Sequence, residues 1–185
     1  MKQLTVYCGA NPGRDPAFRR AAEETGRWLA RRHIRMIYGG GRTGLMGACA
    51  DALLAAGGEA VGVIPSFLKT REEAHTGLTA MITVETMAER KEKMIAMGDA
   101  FLALPGGPGT LEEIAETYSL YRLRRHAKPV LVYSVDGCYD LLDAYFAAME
   151  RNGFLSADDR AGLHFINSLA EAEAVLCAAG FDFGQ

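Results

Sequence analysis

Ala100-Phe101-Leu102-Ala103-Leu104-Pro105-Gly106-Gly107-Pro108-Gly109-Thr110-Leu111-Glu112-Glu113 decides the reading of this chain. The apolar run Ala100–Leu104 reads as a buried strand, and the pattern from Thr110 to about Leu123 reads as a helix. Three glycines and two prolines lie between them. Glycine lets a ligand approach the backbone closely. The N–H groups of such a loop and of a helix start converge on an anion, and the helix dipole favours it. A phosphate is the natural guest. Glu113 is a poor phosphate ligand and needs another reason. One is a capping box, Thr110-x-x-Glu113, in which Glu reaches back to the helix start. The other is catalysis. This stretch alone leaves both open.

Upstream, Leu4–Cys8 is the first strand, and Asp15-Pro16 caps a helix that runs to about Arg32. Ile34–Tyr38 is the second strand, and Gly39–Gly47 opens a helix to about Ala56, closed by Gly57-Gly58. Glu59–Pro65 and Thr79–Val84 are strands flanking a polar loop, Ser66–Leu78, that holds Glu72. Thr86-x-x-Glu89 is a capping box that starts a helix to Met97 with a stripe of Met87, Met94 and Met97. Arg90 falls on that stripe, with Lys91 beside it. Pro129–Tyr133, a helix from about Tyr139 to Arg151, a short strand Leu163–Ile166 and a helix capped by Ser168-x-x-Glu171 complete the chain.

Strands alternating with helices predict one α/β domain over residues 1–185, a Rossmann-like, doubly wound, mainly parallel sheet with helices on both faces. Ligands of such sheets sit at the carboxyl ends of the strands. The glycine-rich turns 9–13, 39–47 and 106–109 belong at that edge, and Gly9, Gly40, Gly106 and Gly109 are expected near one pocket. A buried Arg90 requires a partner, and Glu113 or a bound phosphate is of the right kind.

Composition narrows the chemistry. A net charge of −3 provides no field for a nucleic-acid backbone. The basic run Arg122-Leu123-Arg124-Arg125 reads as a solvated helix end. Cys8, Cys49, Cys138 and Cys177 are far apart and read as reduced thiols of a cytoplasmic protein. The four histidines have no metal-ligand spacing, so neither a metal nor a redox cofactor is expected. No secretory leader and no apolar run of membrane-spanning length is read. Gly39-x-Gly41-x-x-Gly44 matches a dinucleotide fingerprint, but it follows the second strand and Glu59 opens the next strand rather than ending it. These glycines then serve close helix–strand packing or the shared phosphate pocket. No Gly-Lys-Ser/Thr and no Gly-x-Ser-x-Gly is present.

Pro105-Gly106-Gly107-x-Gly109-Thr110-x-x-Glu113, with Arg90-Lys91 upstream, resembles the signature of the LOG (Lonely Guy) family. Those proteins are cytokinin riboside 5′-monophosphate phosphoribohydrolases, also described as lysine decarboxylases. Tyr7-Cys8-Gly9, Tyr38–Gly47, Gly62-Val63-Ile64-Pro65 and Lys128-Pro129-Val130 extend the resemblance over nearly the whole chain. It implies a homodimer that hydrolyses the N-glycosidic bond of a nucleoside 5′-monophosphate, a cytokinin nucleotide or AMP, to free base and ribose 5-phosphate. It places Arg90 and Glu113 at catalytic positions. Glu72, Lys91, Gly106, Gly107, Gly109, Thr110 and Ser119 fall at substrate-binding ones, with Gly9, Gly40, Gly41 and Met94 completing the expected set. Ala80, Pro108 and Tyr118–Leu123 depart from the family pattern and bear on base specificity. A molybdenum-cofactor carrier on the same fold is the alternative, a binding protein for a phosphorylated cofactor such as molybdopterin. The region Arg122–Arg125 and the helix Tyr139–Arg151 are the expected interface elements.

The chemistry of the residues agrees with the hydrolase. Departure of the base builds positive charge on the ribose, which a carboxylate beside C1′ stabilises while orienting water. The phosphate is an unreacting handle that fixes the sugar.

Overall fold

The computed structural model describes residues 1–69 and 73–183. Glu72 lies outside the described residues. Seven strands form one sheet: β1 (Gln3–Tyr7), β2 (Arg35–Tyr38), β3 (Ala60–Pro65), β4 (Ala80–Val84), β5 (Ala100–Ala103), β6 (Val130–Tyr133) and β7 (Leu163–Ile166). Their spatial order is β4-β3-β2-β1-β5-β6-β7. Every pairing is parallel, so the sheet is wholly and not just mainly parallel. The helices are α1 (Pro16–Arg31), α2 (Gly44–Ala55), α3 (Met87–Met97), α4 (Pro108–Arg122), α5 (Asp140–Arg151), the single turn α6 (Ala157–Arg160) and α7 (Leu169–Ala178).

A strand covered on both faces reads as a continuous apolar run rather than an alternating one. β3 and β5 are buried at every residue, whereas β4, at the sheet edge, is mostly open. Alternate residues then divide between two cores. Leu4, Val6, Met36 and Leu102 join Leu29, Cys49, Leu53 and Leu176 from α1, α2 and α7. Tyr7, Ile37, Val63 and Phe101 join Met94, Ile114, Tyr118 and Phe146 from α3, α4 and α5. Helices α1 and α2 pack tightly at Gly26. A Cβ there would strike the Cys49 carbonyl and lie 2.8 Å from the Leu53 nitrogen.

The chain builds outward from β1 to β4. Helix α3 then carries it back to the other side of β1, where β5 begins. The strand order therefore reverses between β1 and β5, which opens a crevice at their carboxyl ends. The two loops that leave these strands are stitched together: Leu104 N donates to the Tyr7 carbonyl at 2.8 Å and Gly9 N to the Pro105 carbonyl at 3.0 Å.

The Thr86 and Ser168 caps form as expected, each hydroxyl accepting from the N–H of Glu89 or Glu171. The Thr110 capping box does not form. Helix α4 starts earlier, with Gly107 as its cap and Pro108 in the first turn, and no side chain caps it. Thr110 is already the third helical residue and is buried. Proline has no N–H to lose and its fixed φ suits a helix start, so the helix begins there.

Candidate active site

A cavity of about 490 Å³ occupies the β1/β5 crevice. The β1 loop supplies Cys8, Gly9, Ala10, Asn11 and Gly13; the β5 loop and the start of α4 supply Pro105, Gly106, Gly107, Pro108, Gly109, Thr110, Glu112 and Glu113. From α3 come Met87, Arg90 and Lys91, and from the second strand's turn and helix come Gly39, Leu45 and Met46. Cys138 and Tyr139 close the far wall, and Val6, Tyr7 and Phe18 complete the lining. The turns 9–13, 39–47 and 106–109 thus share one sheet edge, as the sequence predicts.

The two helix starts at this edge are used differently. At α2, the Gly9 carbonyl accepts from the N–H groups of Leu45 at 3.0 Å and Met46 at 3.4 Å. A Cβ on Gly44 would collide with the Ala10 backbone, and one on Gly47 with the Arg42 carbonyl. Gly44, the third glycine of the dinucleotide-like pattern, is therefore spent on packing, and the N–H groups of Leu45 and Met46 that a pyrophosphate would need already have an acceptor. At α4, Gly107 and Gly109 are exposed, and a Cβ on either would meet nothing within 4 Å. Packing within the chain does not require these glycines, yet they border the cavity.

Arg90 is 5% exposed despite its charge. Its Nε donates to the Val63 carbonyl at 3.0 Å and its Nη2 to the Gly39 carbonyl at 2.8 Å. Its Nη1 lies 3.9 Å from the Met87 sulfur. Hydrogen bonds to backbone carbonyls were not among the partners the sequence suggested, and they fix the guanidinium at the cavity floor. Glu113 is half-buried one turn down α4. It lines the cavity together with Tyr7, Cys8 and Tyr139, whose hydroxyls and thiol are kept protonated first by burial and in smaller part by its charge.

Lys91 reaches across to α4, with Nζ 2.7 Å from Glu112 and 2.8 Å from Glu116. The hydrogen bonds to these two carboxylates push its pKa up to about 12. Burial drives the Cys8 thiol well above its ordinary range and raises Cys138 as well, so neither cavity cysteine is an activated nucleophile.

Of the residues expected from the sequence, Arg90, Lys91, Glu113, Gly9, Gly106, Gly107, Gly109 and Thr110 all border the cavity. Gly40, Gly41, Ser119 and Met94 do not. Gly40 and Gly41 face the 73–75 segment, which His75 N pins to the Gly40 carbonyl at 2.9 Å. Ser119 is exposed farther along α4, and Met94 is 1% exposed within the core. Sequence reasoning passed over Asn11, Cys138 and Tyr139. Only Cys138-Tyr139, directly after the Asp136-Gly137 turn at the end of a strand, carried a local signal. Among the described residues, no group of three or more His, Cys, Asp or Glu side chains is placed to hold a metal ion, and no helix is long and apolar enough to cross a membrane.

An all-parallel, doubly wound sheet whose cavity straddles the switch point, floored by a buried arginine and walled by a helix start that no side chain caps, defines an α/β protein of the Rossmann-like class. Residues 46–176 match the family described as "Possible lysine decarboxylase". The chain is 44% identical over 160 residues to the cytokinin riboside 5′-monophosphate phosphoribohydrolase of Rhodococcoides fascians, covering 86% of this chain and 81% of that one. It is 39% identical over 175 residues to the probable cytokinin riboside 5′-monophosphate phosphoribohydrolase LOGL9 of Oryza sativa subsp. japonica, covering 95% and 76%. This chain belongs to the LOG family, the group that carries both that description and these relatives. The molybdenum cofactor carrier protein of Chlamydomonas reinhardtii superposes with a TM-score of 0.76 over 98% of this chain and 99% of that one; at 19% identity it shares the fold.

Proposed function

We propose that this protein hydrolyses the N-glycosidic bond of a nucleoside 5′-monophosphate, a cytokinin riboside 5′-monophosphate or AMP, releasing the base and ribose 5-phosphate. The observation that carries this reading is the start of α4. Gly107 and Gly109 leave open backbone where a phosphate needs it, and Glu113 stands one turn further along the same helix. The phosphate docks on the N–H groups of Gly109 and Thr110, where the helix dipole favours it. That anchor sets the ribose against Glu113. As the glycosidic bond lengthens, the base leaves with the bonding electron pair and gains a proton from solvent, while the carboxylate faces the developing positive charge on C1′ and takes a proton from the attacking water. Arg90, immobile between two carbonyls, orients the sugar and balances the charge of Glu113. Gly106 and Gly9 shape the wall, and Lys91 ties α3 to α4 at the mouth.

Lysine decarboxylation through an imine suits the site poorly. Such chemistry needs an amine of lowered pKa. The cavity lysine, Lys91, is instead held charged by Glu112 and Glu116. The likeness to cofactor carriers lies in the fold, and fold by itself carries no function.

The protein acts as a homodimer in the cytoplasm on this reading. Leu141 and Tyr145, one turn apart on α5, are 87% and 61% exposed and give that helix an apolar face for a second copy. Sedimentation should find a dimer at micromolar concentration, and a monomer would contradict the assembly. The reaction itself is tested by chromatography of products from AMP and isopentenyladenosine monophosphate beside their nucleosides. Release of base from the nucleotides and little from the nucleosides is expected. Equal rates on both would contradict the phosphate anchor.

A further inference from the structure

The connection between β6 and α5 has no part in the reaction just described, yet it is elaborately built. Asp136 and Gly137 are successive left-handed residues, with φ of 48° and 74°. The Ser134 hydroxyl donates to Asp140 at 2.9 Å and accepts the Tyr139 N–H at 3.0 Å. Together these turn the Tyr139 ring back under the β5 loop, where it is 9% exposed. Its hydroxyl donates to the Leu104 carbonyl at 2.9 Å. The hydroxyl therefore holds the segment Leu104-Pro105-Gly106 at its first residue, and that segment leads directly into the α4 cap at Gly107.

We propose that Tyr139 is a positioning residue for an anion site at the start of α4, holding the Leu104–Gly106 segment so that the N–H groups of Gly109 and Thr110 converge on the phosphate of the ligand. The assignment rests on the nucleotide reading and adds to it the part that sets the cradle. Tyr139 acts through the loop backbone. Burial pushes its hydroxyl well above the ordinary phenol range, so it stays protonated and keeps its role as donor. Losing the oxygen leaves the Leu104 carbonyl without its side-chain donor, while the ring still fills the core. The phosphate half of the ligand then suffers and the nucleoside half does not.

Calorimetric titration of ribose 5-phosphate and of adenosine into wild-type and Tyr139→Phe protein tests this. The variant should fold and melt a little below the wild-type temperature, bind ribose 5-phosphate about tenfold more weakly and bind adenosine unchanged. Equal affinity for ribose 5-phosphate in the two proteins overturns the role of Tyr139 alone. Equal losses for both ligands overturn it too, because the hydroxyl would then serve the fold at large. Wild-type protein that does not bind ribose 5-phosphate overturns the nucleotide reading, and the Tyr139 assignment with it. Should Tyr139→Phe fail to fold, Ser134→Ala, which removes the acceptor of the Tyr139 N–H, carries the same comparison with the same outcomes.

Discussion

The Gly39 carbonyl accepts from Arg90 Nη2 at 2.8 Å, and a Cβ on Gly39 would fall on that same nitrogen. The glycine at the end of β2 is thus the seat of the arginine. Gly39→Ala should displace the guanidinium from the cavity floor. On the proposed reaction this lowers kcat/KM by about 10- to 100-fold, since a misplaced catalytic group forfeits orientation. Steady-state kinetics on AMP check it. Unchanged kinetics in a folded variant would show that Arg90 need not be held there.

Gly107 and Gly109 allow packing and ligand binding to be separated. A methyl group on either meets nothing in the protein, and Gly107 has an ordinary φ of −97°. Ala at position 109 also removes backbone freedom from the unfolded chain, a gain of about 0.4–1 kcal/mol. Gly107→Ala and Gly109→Ala should therefore melt at or slightly above the wild-type temperature. Both should bind ribose 5-phosphate more weakly, by tenfold or more, because the methyl stands where the phosphate approaches. Thermal melts beside titrations decide this. A loss of stability without a loss of affinity would reverse the assignment.

Acid should weaken the fold through His126. Its Nε2–H donates to the Thr117 carbonyl at 3.0 Å, and its Nδ1 accepts the Lys128 N–H at 3.2 Å, so the native ring is neutral. Burial, then the Lys128 charge, lowers its pKa from the ordinary 6.5. His164 is lowered as well, by burial and by Arg160. Below about pH 6.5 the unfolded chain therefore binds more protons than the folded one, and stability falls with pH. The contribution is present in full above 6.5 and is lost once pH passes below the folded-state pKa. Melting temperatures measured between pH 7 and pH 5 should decline, and His126→Gln should decline less steeply. Parallel slopes would remove His126 from the account.

Much of this architecture is legible in local sequence because burial on both faces of a parallel strand leaves a plain mark. Ala100–Leu104 and Glu59–Pro65 carry it, and β5 and β3 lie there. Arg90 betrays itself by standing on a methionine stripe. The start of α4 is misread when Thr110-x-x-Glu113 is taken as a cap, although Gly107-Pro108 carries the stronger signal of a glycine cap followed by proline. Which glycines face a ligand is a different matter. Gly44 and Gly107 look alike in sequence, and only the arrival of the Ala10 backbone from another strand makes the first a packing residue. Tyr139 is hidden for the same reason: a tyrosine that opens a helix reads as core until β5 is laid beside β6.

In the proposed reaction Glu113 acts as a charge beside the reacting sugar. With Gly107 as the cap of α4, Glu113 lies beyond the capping positions of that helix. Glu113→Gln keeps the size and polarity of the side chain and removes its charge. The decisive measurement is release of ribose 5-phosphate from AMP or isopentenyladenosine monophosphate by wild-type and Glu113→Gln protein under single-turnover conditions. The variant is expected to fold, to bind nucleotide and to react at least ~10²-fold more slowly, roughly 3 kcal/mol of lost transition-state stabilisation. Wild-type rates in the folded variant would contradict that role of Glu113.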